Sequence, residues 1–219
     1  MIDINKNNLV NDPSPYLQQH KNNPVHWQVW SLETIEFAKK NSKPILLSIG
    51  YASCHWCHVM AHESFEDKDT ADMMNKHFIN IKVDREVGRG LDFVFQSSFQ
   101  LFNQSGGGWP LTMFLDENGV PFMGGTYFPK TNQNGLPSFK EVLQKVYDAY
   151  QDQKTNIIKQ KDLIIKNLDL KKNSVLSQDL EPILETSLNY LDPVKGGYKG
   201  APKFPTFNLY ETLLYFYNK

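Results

Sequence analysis

A short apolar run, Ile45-Leu46-Leu47-Ser48-Ile49, is bounded by Pro44 and Gly50 and leads almost directly into Cys54-His55-Trp56-Cys57-His58. A run of that length between a proline and a glycine reads as a buried strand. Behind the second cysteine, Val59, Met60, Glu63 and Ser64 continue as a helix. A chain built around this junction brings two thiols, one helical turn apart, to the place where a core strand gives way to a helix. These are its only two cysteines.

The pattern has three chemical readings: a c-type haem attachment point, part of a zinc site, or a redox dithiol. Cys54, Cys57 and His58 satisfy the haem spelling, but such attachment goes with export, and the polar start "MIDINKNNLVNDPSPYLQQH" holds no apolar signal core. Cys54, Cys57, His58 and His62 are four zinc donor types, yet no second cysteine pair stands further along, and His58 directly after Cys57 is poorly placed to share one tetrahedral ion with it. The dithiol reading draws on position. A helix N-terminus offers unpaired N–H groups and a positive dipole end, which stabilise a thiolate on the first cysteine. Cys54 is then the nucleophile of disulfide exchange and Cys57 the resolving thiol. His55 and Trp56, between them, tune the pair. Neither a cofactor nor a metal is expected on this reading.

Trp109-Pro110 opens the segment "LTMFLD" after a glycine-rich turn. Proline inside a sheet belongs at a strand start or an edge. Beside a CxxC, a cis Trp109–Pro110 bond is expected, setting its loop opposite the cysteines and leaving backbone free to pair with an extended substrate.

Along the rest of the chain, residues 1 to 30 read as irregular, broken by Pro13, Pro15 and Pro24 and anchored by Tyr16, Trp27 and Trp30. Ser31 caps a helix to about Lys40. A further helix starts near Asp67 or Asp69, "INIKVD" (79–84) is a strand, and 90–103 has helical spacing. "LTMFLD" and "VPFMGGTYF" form a hairpin on a two-residue Asn118-Gly119 turn. Ser138 to Tyr150 is a helix. This order implies an α/β fold with a mixed sheet covered by helices. The expected domains are 1–153, a helical connector over 154–178 carrying Ile157, Ile158, Leu163, Ile164 and Ile165, and 179–219 as the start of an incomplete helical domain. Asp179, Glu181, Glu185, Asp192 and Glu211 read there as helix-surface charges.

Composition narrows the partners. With 219 residues, 40% hydrophobic and 13% aromatic, the chain has a real core. A net charge of −1 gives no argument for nucleic acid or a membrane surface. No apolar run of about 18 residues exists to span a bilayer. A cytoplasmic location is expected, where a lone cysteine pair means redox chemistry or metal more often than a structural disulfide.

"LLSIGYASCHWCHVMAHESFED", "FINIKVDRE", "GGGWPLTMFLDENGVPFMGGTYFP", "GGYKGAPKFP" and the arm "SPYLQQHKNNPVHWQVW" resemble the thioredoxin-like (DUF255-type) domain of the spermatogenesis-associated protein 20 family. The resemblance implies a thioredoxin fold, with Cys54 and Cys57 as the dithiol and Pro110 as the cis-proline. It also implies that larger relatives continue into an α/α-toroid domain similar to six-hairpin glycosidases, of which this chain holds only the first helices. The sequence departs from the family at His26, where an aspartate is usual, and at "VDREVGRGLD", where the family reads like "VDREERPDLD". The expected activity is thiol–disulfide exchange with protein or small-molecule thiols and disulfides. Two alternatives stay open: a non-catalytic module attached to a carbohydrate-active-like toroid, which it contacts, or a carbohydrate-modifying protein whose chemistry lies in that toroid.

Overall fold

The computed structural model describes residues 3–103, 106–133, 135–152, 181–201, 203 and 207–217. The chain divides into two compact units, Met1–Leu170 and Lys171–Lys219. The connector expected over 154–178, with its isoleucines, and Asp179 lie outside the described residues.

The first unit is built on a five-stranded sheet in the order β1-β3-β2-β4-β5. Its strands are β1 (Trp27–Gln28), β2 (Ile45–Gly50), β3 (Ile79–Asp84), β4 (Leu111–Leu115) and β5 (Pro121–Gly125). β3 pairs in parallel with β1 and β2, whereas β4 runs antiparallel to both β2 and β5. The helices are α1 (Pro15–Gln19), α2 (Leu32–Lys40), α3 (His55–Met60), α4 (Lys68–His77), α5 (Arg89–Asn103) and α6 (Phe139–Asp152). This is the mixed α/β sandwich of a thioredoxin-like fold.

Two central strands sort the core into two layers. On β2 and β3, Ile45, Leu47, Ile49, Ile79, Ile81 and Val83 face α2 and α5, where Ala38, Phe95 and Phe99 close the layer. The alternate positions face the cysteine side with Leu46, packed with α1, α3, α4 and α6. Every residue of both strands is buried, as the mostly apolar run of β2 predicts. The alternation survives in chemistry rather than burial: Ser48, Gly50, Asn80, Lys82 and Asp84 all occupy the cysteine-side register.

Local signals explain most boundaries. Ser31 and Asp67 cap α2 and α4 by accepting from Thr34 N and Thr70 N. The arm, expected to be irregular, contains a 3-10 turn (Leu9–Asn11), α1 and β1. Its prolines misled. Pro15 sits in the first turn of α1, where a missing N–H costs nothing, and Ser14 caps it through Leu17 N. The arm is also part of the core: Leu9, Tyr16, Val25 and Trp27 are fully buried. The helix behind the cysteines changes its winding, because Ala61–Phe65 is a π segment in which Glu66 N donates to Ala61 O.

The β4–β5 hairpin also corrects expectation. Asp116 pairs with Val120, leaving three loop residues, and Gly119 N closes the turn on Asp116 O. Gly119 alone of the turn has positive φ, at 83°, whereas a two-residue type I′ turn needs it at both central positions.

The second unit contains α7 (Glu181–Asn189) and α8 (Phe207–Tyr217), with a bridge pairing Leu191 and Tyr198. Lys203 Nζ donates to Asp192 Oδ2 at 2.7 Å and to the carbonyls of Gly196 and Tyr198, closing the glycine loop. No helix among the described residues is long and apolar enough to cross a membrane.

Candidate functional site

Cys54 and Cys57 are joined by a disulfide. Cys54 is the N-cap of α3, and its Sγ accepts from Cys57 N at 3.2 Å. The strand end fixes this cap, since Cys54 N donates to Tyr51 O at 3.1 Å. The cysteines are 3% and 1% exposed, so Cys54 is the more open by a small margin.

Of the residues between them, Trp56 is 52% exposed and His55 is exposed. The zinc donor types do not converge. His58 Nε2 bonds to Ala52 O at 2.8 Å, and His62 pairs with Glu66 on the surface. Among the described residues no three His, Cys, Asp or Glu side chains are grouped to hold a metal ion.

The Trp109–Pro110 peptide bond is cis and immediately precedes β4. With Trp56, Gly106, Gly107, Gly108, Thr126 and Tyr127, Trp109 lines an open cavity of about 310 Å³. Its walls carry no charged side chain. The structure therefore brings Trp56 and Trp109 to one groove beside the disulfide.

Several residues that sequence reasoning passed over hold this groove. Trp109 Nε1 donates to Asp92 Oδ1 at 2.9 Å. Arg85 lies 3.6 Å from Asp92 Oδ2, with its guanidinium 4.0 Å from the Trp109 ring centroid. Tyr51 meets Trp109 edge-on at 5.8 Å. Gln96 Nε2 donates to Gly108 O, tying the glycine turn to α5. On the opposite wall Tyr127 packs against Trp56 at 5.0 Å, and its hydroxyl donates to Glu63 Oε2 at 2.6 Å. Burial first, and the Glu63 carboxylate second, push the Tyr127 phenol up to about 12. Glu63 reaches Tyr127 from the π segment, an irregularity that the helical spacing of the sequence conceals.

Beneath the disulfide is a second, wholly enclosed group of polar side chains. Lys82 is 1% exposed, donates to Ser48 Oγ at 2.9 Å and lies 4.3 to 5.1 Å from the ring centroids of Phe65, Trp27 and Tyr16. Burial holds its ammonium well below the usual lysine range, while the aromatic faces act the other way. Asp84 accepts from Ser14 Oγ at 2.6 Å and from Glu86 N at 2.8 Å. It thus caps the end of β3 and anchors α1. His20 bonds to Asn23 Oδ1, and burial lowers its imidazole to about 2. The sequence signals for this group were the arm motif and a lysine inside a strand, neither of which states a contact.

The family model described as Thioredox_DsbH, protein of unknown function, DUF255, matches residues 6–169. The chain is 37% identical to rat spermatogenesis-associated protein 20 over 209 residues, covering 91% of this chain and 26% of the relative. It is 38% identical to an uncharacterized protein of Caenorhabditis elegans, covering 94% and 28%. The chain thus spans about a quarter of the length of the curated relatives it matches. Among solved structures it is similar to a DsbH oxidoreductase (TM-score 0.43, 19% identity, 59% of this chain and 86% of that one). It is similar too to a putative disulphide-isomerase from Bacteroides thetaiotaomicron (TM-score 0.42, 20% identity, 60% and 97%). With its family model matched across 6–169 and a CxxC disulfide at the head of α3, the chain belongs to the thioredoxin-like DUF255 family that includes spermatogenesis-associated protein 20.

Proposed function

We propose that the first unit is a thiol–disulfide oxidoreductase acting on protein or small-molecule thiols and disulfides, with Cys54 as nucleophile and Cys57 as resolving thiol. The observation that carries this reading is the cap geometry. Cys54 Sγ accepts the Cys57 N–H at the start of α3, so a thiolate there meets a donor and the positive end of the helix. That thiolate attacks a substrate disulfide, forms the substrate–S–S–Cys54 bond and expels one substrate sulfur as a thiolate. Cys57 then attacks Cys54 Sγ, closes the intramolecular disulfide and releases the second substrate sulfur. In the reverse direction the disulfide oxidises a substrate dithiol. The uncharged aromatic groove lined by Trp56, Trp109 and Tyr127 supports an apolar-flanked substrate beside the cysteines.

The test is a redox titration read by alkylation and mass, joined to turnover of a disulfide-bonded peptide. A reversible two-electron transition is expected. Cys54→Ser abolishes turnover, and Cys57→Ser accumulates the mixed disulfide. A pair that never exchanges with thiols would sink the reading. The second reading, a non-catalytic module attached to a helical domain, draws on the near-complete burial of both cysteines. It predicts no mixed disulfide on Cys57→Ser.

A further inference from the structure

Gly50 is a point of close approach. A Cβ on it would lie 2.3 Å from the Tyr16 hydroxyl oxygen and 2.7 Å from Cys57 Sγ. Phenol and sulfur therefore share the space that a single missing methyl group leaves open. Tyr16 is fully buried, and its hydroxyl has no hydrogen-bond partner among the described residues. It is held from several sides. Ser14 caps α1 while donating to Asp84, His20 packs edge-on against the ring at 4.9 Å, and Lys82 Nζ lies 5.1 Å from its centroid. An orphaned buried hydroxyl is costly, and the Cys57 sulfur shares with this one the space beside Gly50.

We infer that the Tyr16 hydroxyl is the hydrogen-bond donor to the Cys57 sulfur in the reduced and mixed-disulfide states, and is left unpaired when the disulfide closes. A divalent disulfide sulfur is a poor acceptor, whereas a thiolate is a strong one. During resolution the Cys57 S–H proton is released to solvent and charge builds on Sγ, which the Tyr16 O–H stabilises without being transferred. The new Cys54–Cys57 bond forms, the bond from Cys54 to substrate breaks, and the leaving substrate thiolate takes up a proton, so protons and electrons balance. Burial and the nearby Asp84 carboxylate raise the Tyr16 phenol, so it stays protonated as a donor throughout. Asp84 and Lys82 on β3 and His20, the C-cap of α1, are the charged or titratable groups around it.

The inference deepens the oxidoreductase reading and names how one sulfur of that site is tuned. Its sign is definite. The bond stabilises the reduced form, and the orphan destabilises the oxidised one, so both effects make the pair a better oxidant.

The experiment equilibrates wild type and Tyr16→Phe with a dithiol redox buffer and reads the oxidised fraction by alkylation. Phenylalanine keeps the ring packing and deletes only the hydroxyl. The expected result is an equilibrium about tenfold more in favour of the disulfide, which is about 30 mV more negative for a two-electron couple. A purely structural role for the hydroxyl leaves that equilibrium within twofold of wild type, and this result would overturn the inference. The measurement needs no turnover, so failure of the wild type to turn over peptide disulfides would defeat the functional reading without deciding this one. Should Tyr16→Phe fail to fold, NMR of the wild type answers the same question: a slowly exchanging phenolic proton is expected to appear on reduction, and its absence in the reduced protein overturns the inference.

Discussion

The indole N–H of Trp109 donates to Asp92 Oδ1 at 2.9 Å, and through that bond the loop carrying Pro110 is fastened to α5. Asp92 is 7% exposed and also faces Arg85, whose guanidinium covers the Trp109 ring. Removing the carboxylate leaves a part-buried indole N–H without its acceptor, at a cost of about 1–3 kcal/mol. Asp92→Ala is expected to lower turnover of a peptide disulfide about tenfold with a modest fall in melting temperature. Asp92→Asn keeps an acceptor and restores most of the loss. Equal turnover in Asp92→Ala and wild type would show that this fastening does not position the groove.

Trp56 makes the opposite case. It is half-exposed and meets Tyr127 at 5.0 Å, so its truncation opens no buried cavity. Trp56→Ala is expected to change unfolding free energy by no more than about 0.5 kcal/mol, as surface substitutions do. It removes one wall of the groove, so KM for an aromatic-flanked peptide disulfide should rise several-fold while KM for a small thiol stays put. A uniform loss for both substrates would place Trp56 in the tuning of the cysteines instead.

What the sequence made legible followed from short-range rules. Ser31 and Asp67 announce helix starts by their own chemistry, and the apolar stretch ending at Gly50 announces a strand buried on both faces. The cysteine pair announces itself by spacing. Tyr16, Lys82 and Asp92 were opaque because their roles are set by register. Lys82 reaches its place only because Ser48 pairs with it across β2 and β3. The Tyr16 hydroxyl and the Cys57 sulfur both crowd Gly50 only because that residue has no side chain. The prolines of the arm suggested an irregular segment, yet Pro15 starts a helix whose Tyr16 and Leu17 join the core cluster that holds both cysteines.

His20 sets an acid limit on stability. Its imidazole is lowered from 6.5 to about 2, first by burial and then by repulsion from Lys82, with the Asn23 bond opposing. The unfolded chain takes up this proton near pH 6.5, and the folded one does not. The contribution is therefore complete above pH 6.5 and is lost as pH falls below it, by up to about 1.4 kcal/mol per pH unit. His26 and His77, lowered by burial but more exposed, add smaller shares of the same sign. Urea unfolding of wild type and His20→Gln at pH 7, 6 and 5 tests this. The variant should show a shallower fall, and parallel curves would mean that His20 is protonated in the folded protein.

Lys82 has its effect at the other end of the scale. Its folded pKa lies well below 10.5 because of burial, so between that lowered value and 10.5 the unfolded chain holds a proton that the folded chain lacks. Stability should therefore rise with pH towards the unfolded lysine pKa, by at most about 1.4 kcal/mol per unit. The double substitution Lys82→Met with Ser48→Ala removes the amine and its hydroxyl partner together, leaving neither polar group orphaned. Methionine fills the space among Tyr16, Trp27 and Phe65 with an apolar chain of similar length. This variant is expected to be the more stable at pH 8 and to lose the upward slope between pH 8 and pH 10. Chemical unfolding at those two pH values decides it. An unchanged slope would mean that the aromatic faces hold Lys82 as an ammonium and that burial does not lower it through this range.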